Sequence, residues 1–312
     1  MATRADAPEL PVRVRAMTIE AEDVLSVELE ALGGALPAWE PGAHIDLVAP
    51  GAPVRQYSLC GDPAASRYRI AVLREDTSRG GSRHVHEALR PGDVLRVRGP
   101  HNHFALQPAR DVLFIAGGIG ITPLLPMVRR AAADGIGWRL LYLGASRSRM
   151  PFLDELAALD GDVAVVARDS GRRADLAREV ADRPDALVYA CGPERMLAQL
   201  RSLVPEERLR CEYFTAPAVE YEPGGTFAVR LARTGVELEV PPDRSVLEVL
   251  REAGVDVLTD CEEGICGSCE TRVVEGEVEH RDYVLTTQER AANDCMMVCV
   301  SRAACPLLVL DA

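Results

Sequence analysis

The sequence predicts a multidomain protein with three successive folds: an antiparallel β-barrel, a doubly wound α/β domain and a small α+β domain of the β-grasp type. Short runs of alternating apolar and polar residues fill the first third. Apolar strands alternate with helical stretches in the middle third. A hairpin, a capped helix and a group of cysteines make up the last third. At 312 residues the chain can bury two or three cores, and we place the domains at residues 1–107, 108–222 and 223–312.

The β-barrel is predicted by the alternation between Val12 and Gln107. Clear examples of the short strands are Val24–Leu29 and Val94–Val97, and turn clusters such as Glu40-Pro41-Gly42 separate them. Many short strands with regular turns are typical of an antiparallel barrel or sandwich.

Two clusters within the barrel have the chemistry of a phosphate-bearing ligand site. Arg55-Gln56-Tyr57-Ser58 offers a guanidinium, an aromatic ring and a hydroxyl, and on a strand Arg55 and Tyr57 face the same side. In Arg79-Gly80-Gly81-Ser82 the glycines expose backbone N–H groups that, with the serine hydroxyl, suit a phosphate. Each cluster alone also fits an ordinary strand or loop, so their joint occurrence carries the prediction.

The α/β domain begins with the apolar run Val112–Ala116, which has the character of a buried parallel strand. It leads into the glycine turn Gly117–Pro123 and a helix that we expect to reach about Ala133. Thr122 is expected to cap this helix and Pro123 to suit its first turn. The glycines let a pyrophosphate approach the positive end of the helix.

Further strands and helices complete the doubly wound pattern. Strands are predicted at Arg139–Leu143, Val163–Ala167 and Leu187–Ala190, and a helix at Phe152–Leu159. The last strand ends in Cys191-Gly192-Pro193, where another helix begins. In such sheets ligands bind beyond the carboxyl ends of the strands, so both glycine-containing turns are candidate parts of one site.

The β-grasp domain is predicted by a hairpin and a capped helix that follow a linker. The linker runs from Ala216-Pro217 to Glu222-Pro223-Gly224-Gly225. The hairpin pairs Phe227–Leu231 with Val236–Val240, and Ser245 caps a helix at Val246–Ala253.

Four cysteines after this helix have the spacing of an iron–sulfur site. These cysteines are Cys261, Cys266, Cys269 and Cys299. Four residues lie between the first and the second, two between the second and the third, and twenty-nine between the third and the fourth. This is the plant-type 2Fe-2S spacing, whereas zinc is usually held by paired C-x-x-C turns. Gly264 and Gly267 allow the loop to fold closely around a cluster. A zinc site or unrelated thiols are the alternatives.

Composition indicates the setting. Nine cysteines, four of them at cluster spacing, argue for a reducing cytoplasm and against a disulfide framework, and the N-terminus has no apolar signal core. No apolar stretch long enough for a membrane span is seen. Residues 226–312 hold eight arginines against seventeen acidic residues. Nucleic acid would be repelled by this charge, and a positively charged protein would be attracted; simple solubility is the alternative explanation.

The motifs R-x-Y-S, R-G-G-S, G-G-I-G-I-T-P, C-G-P and the cysteine spacing, in this order, resemble the ferredoxin-NADP reductase superfamily. The branch is the one of phthalate dioxygenase reductase and vanillate demethylase reductase. The resemblance implies FMN rather than FAD as the flavin. It assigns to the flavin the residues Arg55, Gln56, Tyr57, Ser58, Val72, Leu73, Gly80, Gly81, Ser82 and Phe214, with core packing the alternative for Phe214.

The same resemblance assigns residues to NADH and to the chemistry. The nucleotide set comprises Gly117, Gly118, Gly120, Thr122, Ser146, Arg147, Cys191, Gly192 and Pro193. Thr122, Cys191 and Ser58 are the expected catalytic residues, with a buried inert thiol the alternative for Cys191. Ser146, Arg147 and Arg149 would suit the 2′-phosphate of NADPH, whereas Asp169 would suit a ribose hydroxyl, and we expect NADH. Cys299 is the expected fourth cluster ligand because it occupies the family's position, which the nearby Cys295 does not.

The resemblance therefore implies an NADH-dependent oxidoreductase that carries FMN and a 2Fe-2S cluster. A nicotinamide delivers two electrons as hydride and a 2Fe-2S cluster accepts one, so a flavin between them is the logical intermediary. We expect a cytoplasmic, monomeric reductase component of a multicomponent oxygenase, with a Rieske-type terminal oxygenase as its partner and no nucleic-acid or membrane partner. A haem-thiolate monooxygenase is the alternative recipient; a redox sensor and a flavin reductase are the alternative functions.

Overall fold

A computed structural model of the chain describes residues 9–75, 80–217 and 224–312. Arg79 of the second flavin cluster and residues 218–223, which include the predicted domain boundary, lie outside the described residues. The described chain divides after Glu212 into two compact units. We call residues 9–212 the N-terminal unit and the described residues from Tyr213 onward the C-terminal unit.

The first part of the N-terminal unit is an antiparallel half-barrel. Its elements are β1 (Leu10–Ala21), β2 (Val24–Ala31), β3 (His44–Val48), β4 (Arg55–Ser58), β5 (Tyr68–Leu73), α1 (Gly81–Glu87) and β6 (Val94–His101). The strand order is β4-β3-β6-β1-β2-β5. A single bridge between Leu59 and Ile70 links the segment after β4 to β5, so the two edge strands approach each other. Alternate residues of the strands fill the interior, among them Val12, Val27 and Ile45.

The second part of this unit is a parallel five-stranded sheet. Its elements are β7 (Asp111–Gly117), α2 (Ile121–Ala133), β8 (Gly137–Gly144), α3 (Leu153–Ala157), β9 (Asp162–Ala167), α4 (Leu176–Ala181), β10 (Leu187–Cys191), α5 (Glu194–Leu203) and β11 (Leu209–Glu212). The strand order is β11-β10-β7-β8-β9, and every neighbouring pair is parallel. The order reverses between β7 and β10, which is where doubly wound sheets bind their ligands.

The half-barrel and the parallel sheet share one buried core. Phe104, in the segment between the two sheets, lies with its ring centroid 5.3 Å from that of Tyr189 in β10. The Tyr189 hydroxyl accepts a hydrogen bond from the Gln107 backbone N–H and donates one to the Ala105 carbonyl. Arg69 of β5 binds Glu155 of α3 at 2.8 Å. These contacts hold the carboxyl ends of β7 and β10 against the half-barrel within a single unit.

The C-terminal unit is a β-grasp fold. Its elements are β12 (Phe227–Leu231), β13 (Glu237–Val240), α6 (Val246–Glu252), β14 (Glu270–Glu275), β15 (Val278–Glu279), α7 (Thr287–Ala292), β16 (Cys295–Met297), β17 (Arg302–Ala303) and β18 (Leu307–Leu310). The main sheet has the order β13-β12-β18-β14-β16, with β12 and β18 parallel. The predicted cap of α6 is present as a capping box, in which Ser245 and Glu248 satisfy each other's backbone N–H groups.

The fold class predicted from the sequence is confirmed in these sheets, and the predicted strands and helices recur with small differences at their ends. In the described residues no helix has the length and apolar character needed to cross a membrane.

Candidate functional site

Two loops meet where the parallel sheet changes direction. The glycine turn after β7 and the Cys191–Pro193 turn after β10 touch along their backbones: a Cβ atom at Gly120 would lie 2.2 Å from the Cys191 carbonyl oxygen. A Cβ at Gly117 would lie 2.5 Å from Pro193 Cδ. Only glycine permits this approach, so the two nucleotide motifs that are 68 residues apart in the sequence form one surface.

Thr122 does not cap α2, so that prediction was wrong. Residues 118–120 form a 3-10 turn that runs directly into the helix, and Gly120 is the N-cap residue. Thr122 is thus the second helical residue, and its hydroxyl donates a 2.9 Å hydrogen bond back to the Ile119 carbonyl. The side chain is buried and stiffens the turn against which the nicotinamide is expected to lie.

Ser58, Cys191 and Glu212 come together beside these loops. Ser58 Oγ donates a hydrogen bond of 3.4 Å to Glu212 Oε2, and Glu212 is the register partner of Cys191 on the neighbouring strand. Burial raises the pKa of Glu212 to about 8, against the hydrogen bond from Ser58, which lowers it. Burial also raises the pKa of Cys191 well above its ordinary value, so this thiol is neutral and packs as a soft apolar group.

Glu212 was missed as a site residue in the sequence. A signal was available, because Glu212 is an acid at the carboxyl end of the last strand of a parallel sheet, the edge at which ligands bind. Its importance depends on the contact with Ser58, which is 154 residues away in the chain. No local pattern reveals such a contact.

The two flavin clusters also form one surface. A Cβ at Gly81, the first residue of α1, would lie 2.4 Å from Arg55 Cγ in β4. Gly80 has a φ of 99°, a backbone conformation that favours glycine, and it leads the chain into α1 beside Arg55. Ser82 is buried, and its Oγ accepts a hydrogen bond from the Glu75 N–H at 3.3 Å. Burial raises the pKa of Tyr57 to about 12, so its ring stays neutral.

The remaining predicted flavin residues have mixed positions. Val72 is buried and Leu73 partly buried on β5. The Gln56 side chain donates a 3.0 Å hydrogen bond to Asp46, on the face of β4 opposite Arg55 and Tyr57. Phe214 is 45% exposed in the C-terminal unit, which excludes the core-packing alternative.

The residues considered for the 2′-phosphate lie at the carboxyl end of β8. Ser146 Oγ lies 3.2 Å from Ser148 Oγ, and Arg147 is exposed. Arg149 is held by Asp23 of the half-barrel at 2.8 Å. The Asp169 backbone N–H binds the Ala145 carbonyl, so this acid reaches the same end of the sheet.

The four thiols of the predicted cluster lie together in the C-terminal unit as two pairs. Cys269 and Cys299 have their sulfur atoms 3.2 Å apart. A hydrogen bond from the Cys261 thiol lowers the pKa of Cys266, against the burial that raises it. Backbone N–H groups of Glu263 and Ser268 point at the sulfurs of Cys261 and Cys266, at 3.3 and 3.4 Å. The loop thus supplies donors to sulfur, as iron–sulfur proteins do.

This arrangement fits a two-iron cluster. Each iron of a 2Fe-2S cluster takes two thiolates, and the pairs Cys261–Cys266 and Cys269–Cys299 offer two thiols on each side. A structural zinc would need four ligands around one point, whereas these four thiols fall into two pairs. Cys295 lies within β16, where it is the register partner of Arg272.

Comparison with known proteins gives consistent relatives over the full chain. A sequence profile of the 2Fe-2S iron-sulfur cluster binding domain matches residues 229–304. A vanillate O-demethylase oxidoreductase of Pseudomonas sp. (strain HR199 / DSM 7063) is 41% identical over 316 residues, 97% of this chain and 99% of that protein.

Two solved structures extend the likeness. One is phthalate dioxygenase reductase, described as a modular structure for electron transfer from pyridine nucleotides to 2Fe-2S; it is 37% identical, with a TM-score of 0.70 and complete coverage of both chains. The other is an intact type IV self-sufficient cytochrome P450 monooxygenase, 44% identical with a TM-score of 0.93. That match covers 97% of this chain and 41% of the monooxygenase, so this chain spans less than half of that longer protein.

Proposed function

Because the chain belongs to the family of oxygenase reductases that includes vanillate O-demethylase oxidoreductase and phthalate dioxygenase reductase, we propose that it takes electrons from NADH and delivers them singly to a terminal oxygenase component. It is an oxidoreductase with FMN and a 2Fe-2S cluster as its cofactors. The observation that carries the proposal is that one chain holds both the Ser58–Glu212–Cys191 site and four thiols paired two and two.

The half-barrel holds the flavin. Arg55 pairs with the FMN phosphate, and the N–H groups at Gly80 and Gly81 bind the same phosphate. Tyr57 lies on the Arg55 face of β4, where its neutral ring packs against the flavin. Because Gln56 faces the other way, we assign it only a backbone role in binding.

The parallel sheet holds the nucleotide. The glycine turn Gly117–Gly120 accepts the pyrophosphate beside the start of α2. Cys191 and Thr122 restrict where the nicotinamide lies, because both side chains are buried and fixed. Binding energy is thereby converted into alignment of the ring for transfer.

The chemistry itself comes from the cofactors. When bound, FMN and the 2Fe-2S cluster supply the conversion of one two-electron hydride transfer into two one-electron transfers. Ser58 lies at the end of β4, and its hydroxyl donates a hydrogen bond to Glu212. This bond orients the hydroxyl at the edge of the site where we place the reaction. We propose Ser58, Thr122 and Cys191 as the catalytic residues, with Glu212 added to them.

NADH is the proposed donor. Arg149, the strongest candidate for a 2′-phosphate besides Arg147, is engaged by Asp23. Asp169 at the end of β9 suits a ribose hydroxyl and would repel an additional phosphate. Ser146 and the exposed Arg147 are the residues of this group that favour NADPH.

The proposed recipient is a Rieske-type terminal oxygenase that acts on an aromatic compound. The acid excess of residues 226–312 favours a recipient with a basic docking surface. A haem-thiolate monooxygenase is the second candidate, favoured by the 44% identity to part of a self-sufficient P450 monooxygenase. We further propose that the reductase is a cytoplasmic monomer.

Anaerobic titration of the purified protein with NADH tests the proposal. Visible absorbance should show flavin bleaching, and low-temperature EPR should then show a rhombic signal of the reduced 2Fe-2S cluster. Bleaching without any such signal would show that the C-terminal unit is not the outlet for electrons.

A further inference from the structure

The structure contains a row of ionisable side chains that leads from Glu212 to the surface of the half-barrel. Glu212 accepts from Ser58 at 3.4 Å. Ser58 and His44 are register partners on β4 and β3, so their side chains stand next to each other on one face of the sheet. His44 is only 7% exposed, and none of the roles assigned above involves it.

The row continues from His44 across β6. His44 and His101 are register partners, and their ring centroids lie 5.8 Å apart. The ring of His103 lies 6.1 Å from that of His44, and His103 is exposed. Centroid separations of this size leave room for one bridging water between neighbouring rings, over which a proton can pass.

Asp46 supports the buried middle of the row. Its carboxylate is fully buried, accepts from Gln56 at 3.0 Å and has Oδ2 3.9 Å from His101 Nε2. A carboxylate at this distance stabilises a protonated His101 ring by charge attraction. Asp46 and Gln56 share this face of β3 and β4 with His44 and Ser58, opposite Arg55 and Tyr57.

The proposed function creates a need for such a row. Oxidation of NADH to NAD⁺ with both electrons passed to one-electron acceptors releases one proton: NADH gives NAD⁺, H⁺ and two electrons. The proton arrives in a buried site, and the terminal oxygenase component takes only the electrons from the reductase. A group that titrates near neutral pH must carry the proton to water.

We propose that His44, His101 and His103 form a proton-release path that takes the proton from Ser58 and Glu212 to solvent during turnover. The inference rests on the proposed function, because it is the oxidation of NADH that supplies the proton. His44 is the central carrier, His103 is the exit, His101 is a second ring beside His44 and Asp46 is a positioning residue.

The charged and titratable groups that face the path come from four segments. Cys191 and Glu212 face it from β10 and β11, Asp46 from β3, and Arg98 from β6, where it is the register partner of Asp46. Arg98 is itself bound to Glu9 at 2.9 Å. Burial raises the pKa of Glu212 to about 8, so this carboxyl is able to give and take a proton at neutral pH.

The decisive test needs no turnover. The chain has six histidines, so their ring signals can be resolved by NMR on the oxidised full-length protein with FMN and cluster bound, labelled with ¹³C-histidine. His44→Gln identifies the His44 signal. We expect this signal to show a second inflection at the pH at which Glu212 loses its proton, because coupled groups titrate together.

Glu212→Gln should abolish the second inflection, whereas Glu207→Gln, the same change at an exposed position on the approach to β11, should retain it. A His44 titration that is identical in the wild type and in Glu212→Gln would overturn the proposal. Loss of the second inflection in Glu212→Gln alone would assign the coupling to that carboxyl, and the measurement of proton release then tests whether a proton passes along the row.

Turnover provides the second measurement. In His44→Gln, flavin bleaching by NADH should keep the wild-type rate, while proton release to an indicator dye and cytochrome c reduction should slow about tenfold or more and recover with added imidazole. If His44→Gln does not fold, His103→Gln provides a second variant, because His103 is exposed. Proton release at the wild-type rate in His103→Gln would reject His103 as the exit. If NADH fails to bleach the wild type, the proposed function fails, and the NMR result still decides the coupling.

Discussion

Replacement of Gly120 by alanine tests the contact between the two nucleotide loops. The new Cβ would lie 2.2 Å from the Cys191 carbonyl oxygen and 2.8 Å from the Gly192 nitrogen, whereas an ordinary contact is 3.4 Å or more. The glycine turn and the Cys191–Pro193 turn must therefore separate by about 1 Å, a misplacement that typically costs about 100-fold in rate. Overpacking of this kind also destabilises the fold by about 1–3 kcal/mol.

The assay is stopped-flow bleaching of the flavin at saturating NADH, with the thermal unfolding midpoint measured on the same preparations. Gly135→Ala is the matched control: Gly135 follows the far end of α2 with a φ of +67° and open space around it. Its substitution costs about 1–2 kcal/mol of backbone strain without moving the turn. We expect slow bleaching in Gly120→Ala alone. A bleaching rate within about threefold of the wild type would refute the argument that the loop contact aligns the nicotinamide.

Three further outcomes are expected. Cys266→Ser should abolish the EPR signal of the cluster and cytochrome c reduction while flavin bleaching by NADH persists. The control Cys295→Ser should retain the EPR signal, cytochrome c reduction and flavin bleaching. Loss of bleaching in a folded Cys266→Ser protein would contradict the order of electron transfer. Because burial raises the pKa of Glu212 from 4.5 to about 8, the native state binds this proton more tightly than the unfolded state, so wild-type stability should fall as pH rises through that window. In Glu212→Gln this fall should be smaller in thermal melts at the two ends of the window, and equal slopes would exclude a buried neutral carboxyl. Arg147→Ala should leave the kcat/KM for NADH nearly unchanged and lower that for NADPH several-fold; equal loss for both would assign Arg147 to another role.

The fold was predictable because local signals agreed with the global arrangement. Val112–Ala116 reads as a buried strand, the glycine turn follows it, and α2 ends at Ala133 as expected. Ser245 was predictable as a cap because serine is a favoured N-cap residue and stands directly before an apolar helical run. The prediction that Thr122 caps α2 was wrong because a 3-10 turn at residues 118–120 runs into the helix and makes Gly120 the N-cap residue.

The site was less predictable because its contacts are distant in the chain. Spacing indicated the three thiols of the loop, and the family resemblance selected Cys299 rather than Cys295 as the fourth. The division of these thiols into two pairs depends on the pairing of β14 with β16. Glu212 and Ser58 meet only after the half-barrel packs on the parallel sheet. The direction of the Gln56 side chain could be deduced from strand alternation once β4 was known, because its neighbours Arg55 and Tyr57 occupy the other face.

The pairing of the thiols also bears on how the cofactor is acquired. Three cysteines lie in one loop between α6 and β14, whereas Cys299 reaches them only when β16 has paired with β14. An unfolded chain can offer one iron two thiolates, but it cannot present both halves of the site at once. Metal binding therefore stabilises mainly the chain in which this sheet is complete. We therefore expect loading of the cluster to depend on prior assembly of the C-terminal unit.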